Sequence, residues 1–100
     1  MDVVYRQEAS EDIADAFRWY EAQSVGLGRE FERAVHAVAI LIETFPAAFP
    51  VVFRDLRRAV TVRFPYLIYY RQWDPETLEI VACLHTGRDA DVIRRRVGDA

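Results

Sequence analysis

Two strand-like segments separated by a short turn constrain the fold of this chain more than any other feature. They span residues 66–73 and 77–85, are rich in aromatic and β-branched residues, and enclose the turn sequence Asp74-Pro75-Glu76-Thr77. Proline at the second position is typical of a type I turn, which suits its fixed φ angle. Because so short a connection joins only antiparallel strands, the two segments predict a β-hairpin.

The first of these segments is predicted to lie at the centre of a sheet. Both of its alternating sets of side chains are apolar or aromatic, with Leu67 and Tyr69 in one set and Ile68 and Tyr70 in the other. This pattern is typical of a strand that is covered on both faces. A further strand is predicted from Leu56 to Phe64, so the three strands form an antiparallel meander.

The first half of the chain begins with a short strand candidate at Val3–Tyr5 and continues with the spacing of two helices. Ser10 is predicted to cap the first helix, which ends near Ser24, and the second helix ends at Pro46. The apolar positions at helical spacing are Ile13, Ala16, Phe17 and Tyr20 in the first helix and Phe31, Ala34, Val35, Val38, Leu41, Ile42 and Phe45 in the second. A few residues between the helices predict an antiparallel hairpin.

A short helix is predicted to close the chain. It begins at Asp89 or Asp91, carries the arginines of residues 94–96 near its negative end, and stops at Gly98. The elements together predict one α+β domain over residues 1–100. In it, an N-terminal short strand and an antiparallel two-helix hairpin pack on a C-terminal three-stranded antiparallel meander, followed by the short helix.

Composition narrows the class of protein. With 52% hydrophobic residues in a chain of 100, one domain with a substantial core is expected. The sequence contains no apolar run near the roughly 18 residues of a membrane span, and its start does not resemble a signal peptide. The single cysteine, Cys83, is expected to be a core residue. We therefore expect a soluble cytoplasmic protein without a metal centre.

Charge is distributed unevenly along the chain. Residues 1–50 contain four arginines and nine acids, whereas residues 51–100 contain nine arginines and seven acids. All 13 basic residues are arginine, which is also the pattern that codon bias in a GC-rich genome produces. Because the guanidinium group pairs bidentately with carboxylates and phosphates, the second half suits an anionic partner, either nucleic acid or an acidic protein segment. The pI near 5.3 argues against non-specific binding of nucleic acid.

The second half also resembles the RelE/ParE superfamily, the toxins of bacterial type II toxin–antitoxin systems. The resemblance is carried by the sequence PYLIYYR at residues 65–71, the short turn, IVACLH at residues 80–85, and Arg88. In the first half it is carried by Ala9, Asp12-Ile13, Trp19-Tyr20, Phe31 and Pro46. It extends from about Val3 to Asp89, and the ParE branch fits best.

The resemblance to the ParE branch implies a toxin that inhibits DNA gyrase by binding it. A cognate antitoxin, ParD-like or similar, would neutralise the toxin in a hetero-oligomeric complex. Such a toxin needs no catalytic set and no cofactor. The residues predicted to bind the target or the antitoxin are Arg54, Arg57, Arg58, Arg63, Arg71, His85 and Arg88.

The RelE branch implies a different activity, the ribosome-dependent cleavage of messenger RNA. In that alternative, Arg63 and Arg71 would stabilise phosphate, His85 or Tyr70 would donate a proton, and Arg88 would hold a flanking phosphate. The set lacks lysine and a general base, so it is incomplete. A hydrogen-bonded structural role is the simpler interpretation of His85. A protein-interaction module without toxicity is a second alternative.

Overall fold

The chain forms a five-stranded mixed sheet with a helical hairpin on one face and a short helix on the other. The computed structural model describes residues 1–88 and 90–98. Its elements in chain order are β1 (Asp2–Tyr5), α1 (Gln7–Gln23), α2 (Leu27–Thr44), β2 (Val51–Phe53), β3 (Leu56–Val60), β4 (Tyr66–Asp74), β5 (Thr77–His85) and α3 (Asp91–Val97). The α+β class and the predicted packing of a helical hairpin on the sheet are confirmed.

The predicted three-stranded meander is wrong by one strand. The strands lie in the order β1-β5-β4-β3-β2, in which β1 is parallel to β5 and all other neighbours are antiparallel. The additional strand, β2, joins β3 through a tight turn in which Arg54 has a φ of 54°. Such turns are usually marked by glycine or asparagine, so an arginine at this position hides the turn from sequence patterns.

β3 ends at Val60 instead of at the predicted Phe64. The Thr61 hydroxyl donates a hydrogen bond to the Phe64 carbonyl at 2.6 Å, and Arg63 has a φ of 75°. These two features turn the backbone toward β4 before a longer strand can form. β5 has the predicted bounds, Thr77–His85, and β4 extends one residue beyond its predicted end.

β4 is the central strand of the sheet, as its two apolar faces predicted. Ile68 and Tyr70 pack in the core beneath the helical hairpin, whereas Tyr69 packs in the core beneath α3. The buried residues of α2 are Gly28, Phe31, Val35, Val38, Ala39 and Ile42. Leu41 and Phe45, which belong to the predicted apolar stripe, are 48% and 58% exposed.

The turn of the helical hairpin is fixed by a carboxylate. Glu21 accepts hydrogen bonds from the backbone N–H groups of Gly26 and Gly28, so its side chain supplies acceptors at the start of α2. A Cβ atom on Gly28 would lie 2.9 Å from the Phe17 carbonyl oxygen, so only glycine allows this close approach. The predicted cap at Ser10 is wrong, because α1 already begins at Gln7.

α3 begins at Asp91, which is one of the two predicted starts, and it ends before Gly98, as predicted. The alternative start at Asp89 lies outside the described residues. Ile93 is buried against the second face of the sheet. Within residues 1–88 and 90–98, no helix has the length and apolar character needed to cross a membrane.

One ion pair, between Asp12 of α1 and Arg96 of α3, fastens both helices to the edge of β5. Arg96 Nη1 lies 2.6 Å from Asp12 Oδ2, which also accepts the Cys83 backbone N–H at 3.0 Å. β1 pairs with β5 only as far as Ile80, so the strand edge beyond it needs other partners. Asp12 and Arg96 supply them, because Arg96 also donates to the Val81 carbonyl at 3.4 Å.

Candidate functional site

The residues of the nuclease alternative do not lie around one point. Tyr70 is fully buried beneath the helical hairpin, where its hydroxyl donates to the Pro46 carbonyl at 2.6 Å. Burial also raises the pKa of the Tyr70 hydroxyl, an effect that the nearby Arg57 opposes. This hydroxyl therefore holds the chain between α2 and β2, and it is not presented to solvent.

Arg63 and Arg71 lie apart from each other and from Tyr70. Arg63 follows β3 and forms an exposed ion pair with Glu30 of α2, at 3.0 Å. Arg71 occupies the next position after Tyr70 along β4, so its side chain leaves the opposite face of the sheet. There its guanidinium lies 3.7 Å from Asp55.

His85 and Arg88 do come together, at the end of β5. They line a cleft of about 210 Å³ with Tyr66, Trp19 and Cys83, and the acidic wall of the cleft is formed by Asp12 and Asp15 of α1. Tyr66 pairs directly with His85 across the strands, and the two rings meet edge to face with centroids 5.4 Å apart. Arg63 does not line this cleft, so the structure separates it from His85 and Arg88.

One nitrogen of His85 has a structural partner. The Gly87 backbone N–H donates to His85 Nδ1 at 2.9 Å and closes the turn after β5. The neutral imidazole therefore carries its proton on Nε2, which leaves that nitrogen as a hydrogen-bond donor. The structural interpretation of His85 holds for one nitrogen, and the other can serve a ligand.

The Tyr66 hydroxyl and the Cys83 thiol, which also line the cleft, both have raised pKa values. Burial, with smaller contributions from Tyr20 and Cys83, raises the pKa of Tyr66, and Arg88 opposes that shift. Burial, with the neighbouring Asp12 carboxylate, raises the pKa of the Cys83 thiol to about 12, so this thiol is protonated near neutral pH and is a poor nucleophile. In the described part of the chain, no three His, Cys, Asp or Glu side chains form a group that could hold a metal ion.

Three predicted arginines lie near β2 and β3 and differ in their surroundings. Arg57 donates to the Phe49 carbonyl at 2.6 Å and so holds the chain after α2. Arg58, the next residue, lies on the opposite face of β3, where it lines a small cleft with Tyr69 and Arg94. Arg54 packs its guanidinium over the Phe53 ring at 5.2 Å.

The face of the sheet that α3 covers remains partly open beside this cleft. Val60, which is 59% exposed, pairs with the half-buried Leu67 on the same side as Arg58. We call this surface the α3-side patch and define it by Val52, Arg58, Val60, Leu67 and Arg94. It combines exposed apolar side chains with two cations, so it suits an acidic segment that also has apolar residues.

Several residues of these two surfaces were missed by sequence patterns. Trp19 contributed to the family resemblance but was not predicted to line a site, and Val60 and Arg94 each fit an ordinary strand or helix position. A usable signal existed only for Tyr66, because it begins the strand that pairs with the one ending at His85. Tertiary packing brings Trp19 to the cleft, and Val60 and Arg94 to the α3-side patch on the opposite face.

Comparison with known proteins identifies related sequences and a related fold. Residues 3–90 match the family model described as "ParE toxin of type II toxin-antitoxin system, parDE". A solved structure titled "Chromosomal ParDE TA system from P. aeruginosa" is similar with a TM-score of 0.63 and 13% sequence identity, over 85% of this chain and 95% of that chain. At this identity, the structural match establishes the fold alone. A comparison with curated proteins found no match.

Proposed function

From the premise that the chain belongs to the ParE toxin family of type II toxin–antitoxin systems, we propose that it is a cytoplasmic toxin that inhibits DNA gyrase by binding it. A ParD-like antitoxin neutralises it in a hetero-oligomeric complex. The proposal requires binding surfaces and no catalytic centre. Its two candidate surfaces are the α3-side patch and the cleft lined by His85 and Arg88.

The main support for this proposal is that the residues a nuclease would need lie apart from one another. Cleavage of RNA requires a proton donor, a base and cationic groups within reach of one phosphate. Tyr70 is buried with its hydroxyl on a carbonyl, Arg71 leaves the opposite face, and Arg63 pairs with Glu30. A single phosphate cannot contact all three, which favours inhibition by binding over ribosome-dependent cleavage of messenger RNA.

The α3-side patch is the surface that we assign to the antitoxin. Its apolar residues lie on a sheet face that α3 covers only in part, and Arg58 and Arg94 place positive charge beside them. A segment with alternating apolar and acidic residues matches both properties. Of the predicted contact residues, we therefore assign Arg58 to this surface. Arg57 instead supports the chain after α2.

Expression of the toxin without its antitoxin should distinguish the two targets. We expect a DNA-damage response and filamentous growth while bulk protein synthesis continues during the first minutes, because gyrase inhibition does not stop translating ribosomes. Pulse labelling of new protein and a DNA-damage reporter, followed in the same culture, measure both effects. An arrest of translation within minutes, with codon-specific cleavage of messenger RNA, would establish the ribonuclease alternative instead.

A further inference from the structure

The cleft at the end of β5 contains donors that have no acceptor among the described residues. His85 Nε2 remains available because Nδ1 is already bonded to Gly87. The Tyr66 hydroxyl and the Arg88 guanidinium also form no hydrogen bond within residues 1–88 and 90–98, and both side chains line the same cleft. His85 and Arg88 are exposed to solvent and Tyr66 is half-buried, so these donors line one accessible cleft and can serve a ligand that carries acceptors.

The charge of the cleft favours an anion in spite of its two carboxylates. Asp12 is neutralised by Arg96 at 2.6 Å and also accepts the Cys83 backbone N–H. Asp15 is paired with Arg18 on the exposed side of α1. Among the described residues that line the cleft, Arg88 is the charge for which the structure shows no ion pair. Its planar guanidinium matches the two oxygens of a carboxylate.

The size of the cleft indicates a side chain as its ligand. Its volume is about 210 Å³. Sites for whole small molecules or cofactors have roughly 300–1,000 Å³. The indole of Trp19, 59% exposed at the rim, provides an apolar wall for the stem of a long side chain. A glutamate or aspartate of a polypeptide fits these dimensions better than a nucleotide does.

The position of the cleft connects it with the surface assigned to the antitoxin. Tyr66 lines the cleft, and its neighbour Leu67 belongs to the α3-side patch on the opposite face. Neighbouring strand residues point to opposite faces, so the two surfaces lie on opposite faces at the same end of the sheet. A single extended segment can cross the patch and bend around this end to reach Arg88.

We propose that the cleft formed by Trp19, Tyr66, His85 and Arg88 binds an aspartate or glutamate side chain of the antitoxin. The inference rests on the proposed function, because it assumes that an antitoxin is the partner. It adds a second, polar contact on the face of the helical hairpin. The antitoxin then holds both faces of the sheet at one end.

Affinity measurements with the antitoxin encoded beside the toxin gene test the proposal. Arg88→Ala should weaken binding roughly 10- to 100-fold, the effect of losing a hydrogen bond to a charged group. Arg33→Ala, on the exposed outer side of α2, is the matched control and should change the dissociation constant less than twofold. Full-length folded proteins are used, and calorimetry provides the constants.

Two variants of His85 separate its structural role from its binding role. Asparagine can retain the acceptor for the Gly87 N–H but cannot reach the position of Nε2, so His85→Asn should keep the melting temperature and lose affinity several-fold. Glutamine can reach the position of Nε2 but not that of Nδ1. His85→Gln should therefore keep more affinity than His85→Asn and lower the melting temperature.

Fluorescence of Trp19 locates the contact independently of the arginine variants. The chain contains two tryptophans, so a Trp73→Phe background leaves Trp19 as the sole reporter. Antitoxin binding should shift its emission to shorter wavelength. If Arg88→Ala and the fluorescence are both unaffected while Arg58→Glu abolishes binding, the cleft proposal fails and the antitoxin proposal stands. If the wild-type toxin binds no antitoxin, both proposals fail.

Discussion

Replacing Asp12 with alanine should lower the free energy of unfolding by about 3 kcal/mol, because it removes one partner of a largely buried ion pair. The side chains of Asp12 and Arg96 are each only 13% exposed, so the variant leaves a guanidinium in a poorly solvated position. It also removes the acceptor of the Cys83 backbone N–H on the open edge of β5. Urea denaturation followed by circular dichroism measures the loss.

Asp15→Ala is the matched control for this prediction. Asp15 lies on the same helix and also pairs with an arginine, but the side chains of Asp15 and Arg18 are 73% and 69% exposed. Exposed pairs contribute about 0–1 kcal/mol, so this variant should remain close to the wild type. Equal losses for the two variants would contradict the assignment of Asp12 and Arg96 as the fastening between α1, α3 and β5.

Adding Arg96→Met to Asp12→Ala should recover part of the loss, because no unpaired charge then remains.

Replacing Arg58 with glutamate should weaken antitoxin binding by roughly 100-fold or more, which corresponds to about 3 kcal/mol. The half-buried position of Arg58 beside Tyr69 and Arg94 means that an acidic partner would lose its cation and meet a like charge. In cells, co-expressed antitoxin should then fail to protect against this variant. Growth and the dissociation constant are both measured with wild-type antitoxin.

The control for the charge reversal is Arg33→Glu, on the exposed outer side of α2. It makes the same change in net charge at a surface that the antitoxin is not proposed to contact. Antitoxin should protect fully against this variant. If both reversals weaken binding equally, general electrostatic attraction explains the effect, and the α3-side patch is not the docking surface.

Local patterns predicted the parts of the fold that local chemistry determines. The strand at Thr77–His85 and the central position of β4 followed from side-chain alternation and from a turn with proline at its second position. β2 was not predicted because it has only three residues and because the turn after it contains an arginine with positive φ in place of a typical turn residue. The early end of β3 depends on a hydrogen bond from the Thr61 hydroxyl, which no apolar pattern reveals.

The candidate site was only partly accessible to sequence reasoning. Neighbouring residues of a strand point to opposite faces, so Tyr70 and Arg71 must leave opposite faces of β4. The structure agrees with this rule. His85 and Arg88 were identified together through the family resemblance, and they lie three positions apart in the sequence, on either side of one turn. Trp19 lies 66 residues before His85, and Asp12 pairs with Arg96 at a separation of 84 residues, so neither contact has a local signal.

The most direct test of the account is a supercoiling assay with purified DNA gyrase, relaxed plasmid DNA and the purified toxin. The account predicts that the toxin inhibits supercoiling and that an equimolar amount of antitoxin restores it. Arg33→Glu should behave like the wild type, which controls for non-specific effects of the surface. Unchanged supercoiling at a large excess of toxin, together with cleavage of messenger RNA on purified translating ribosomes, would contradict the account.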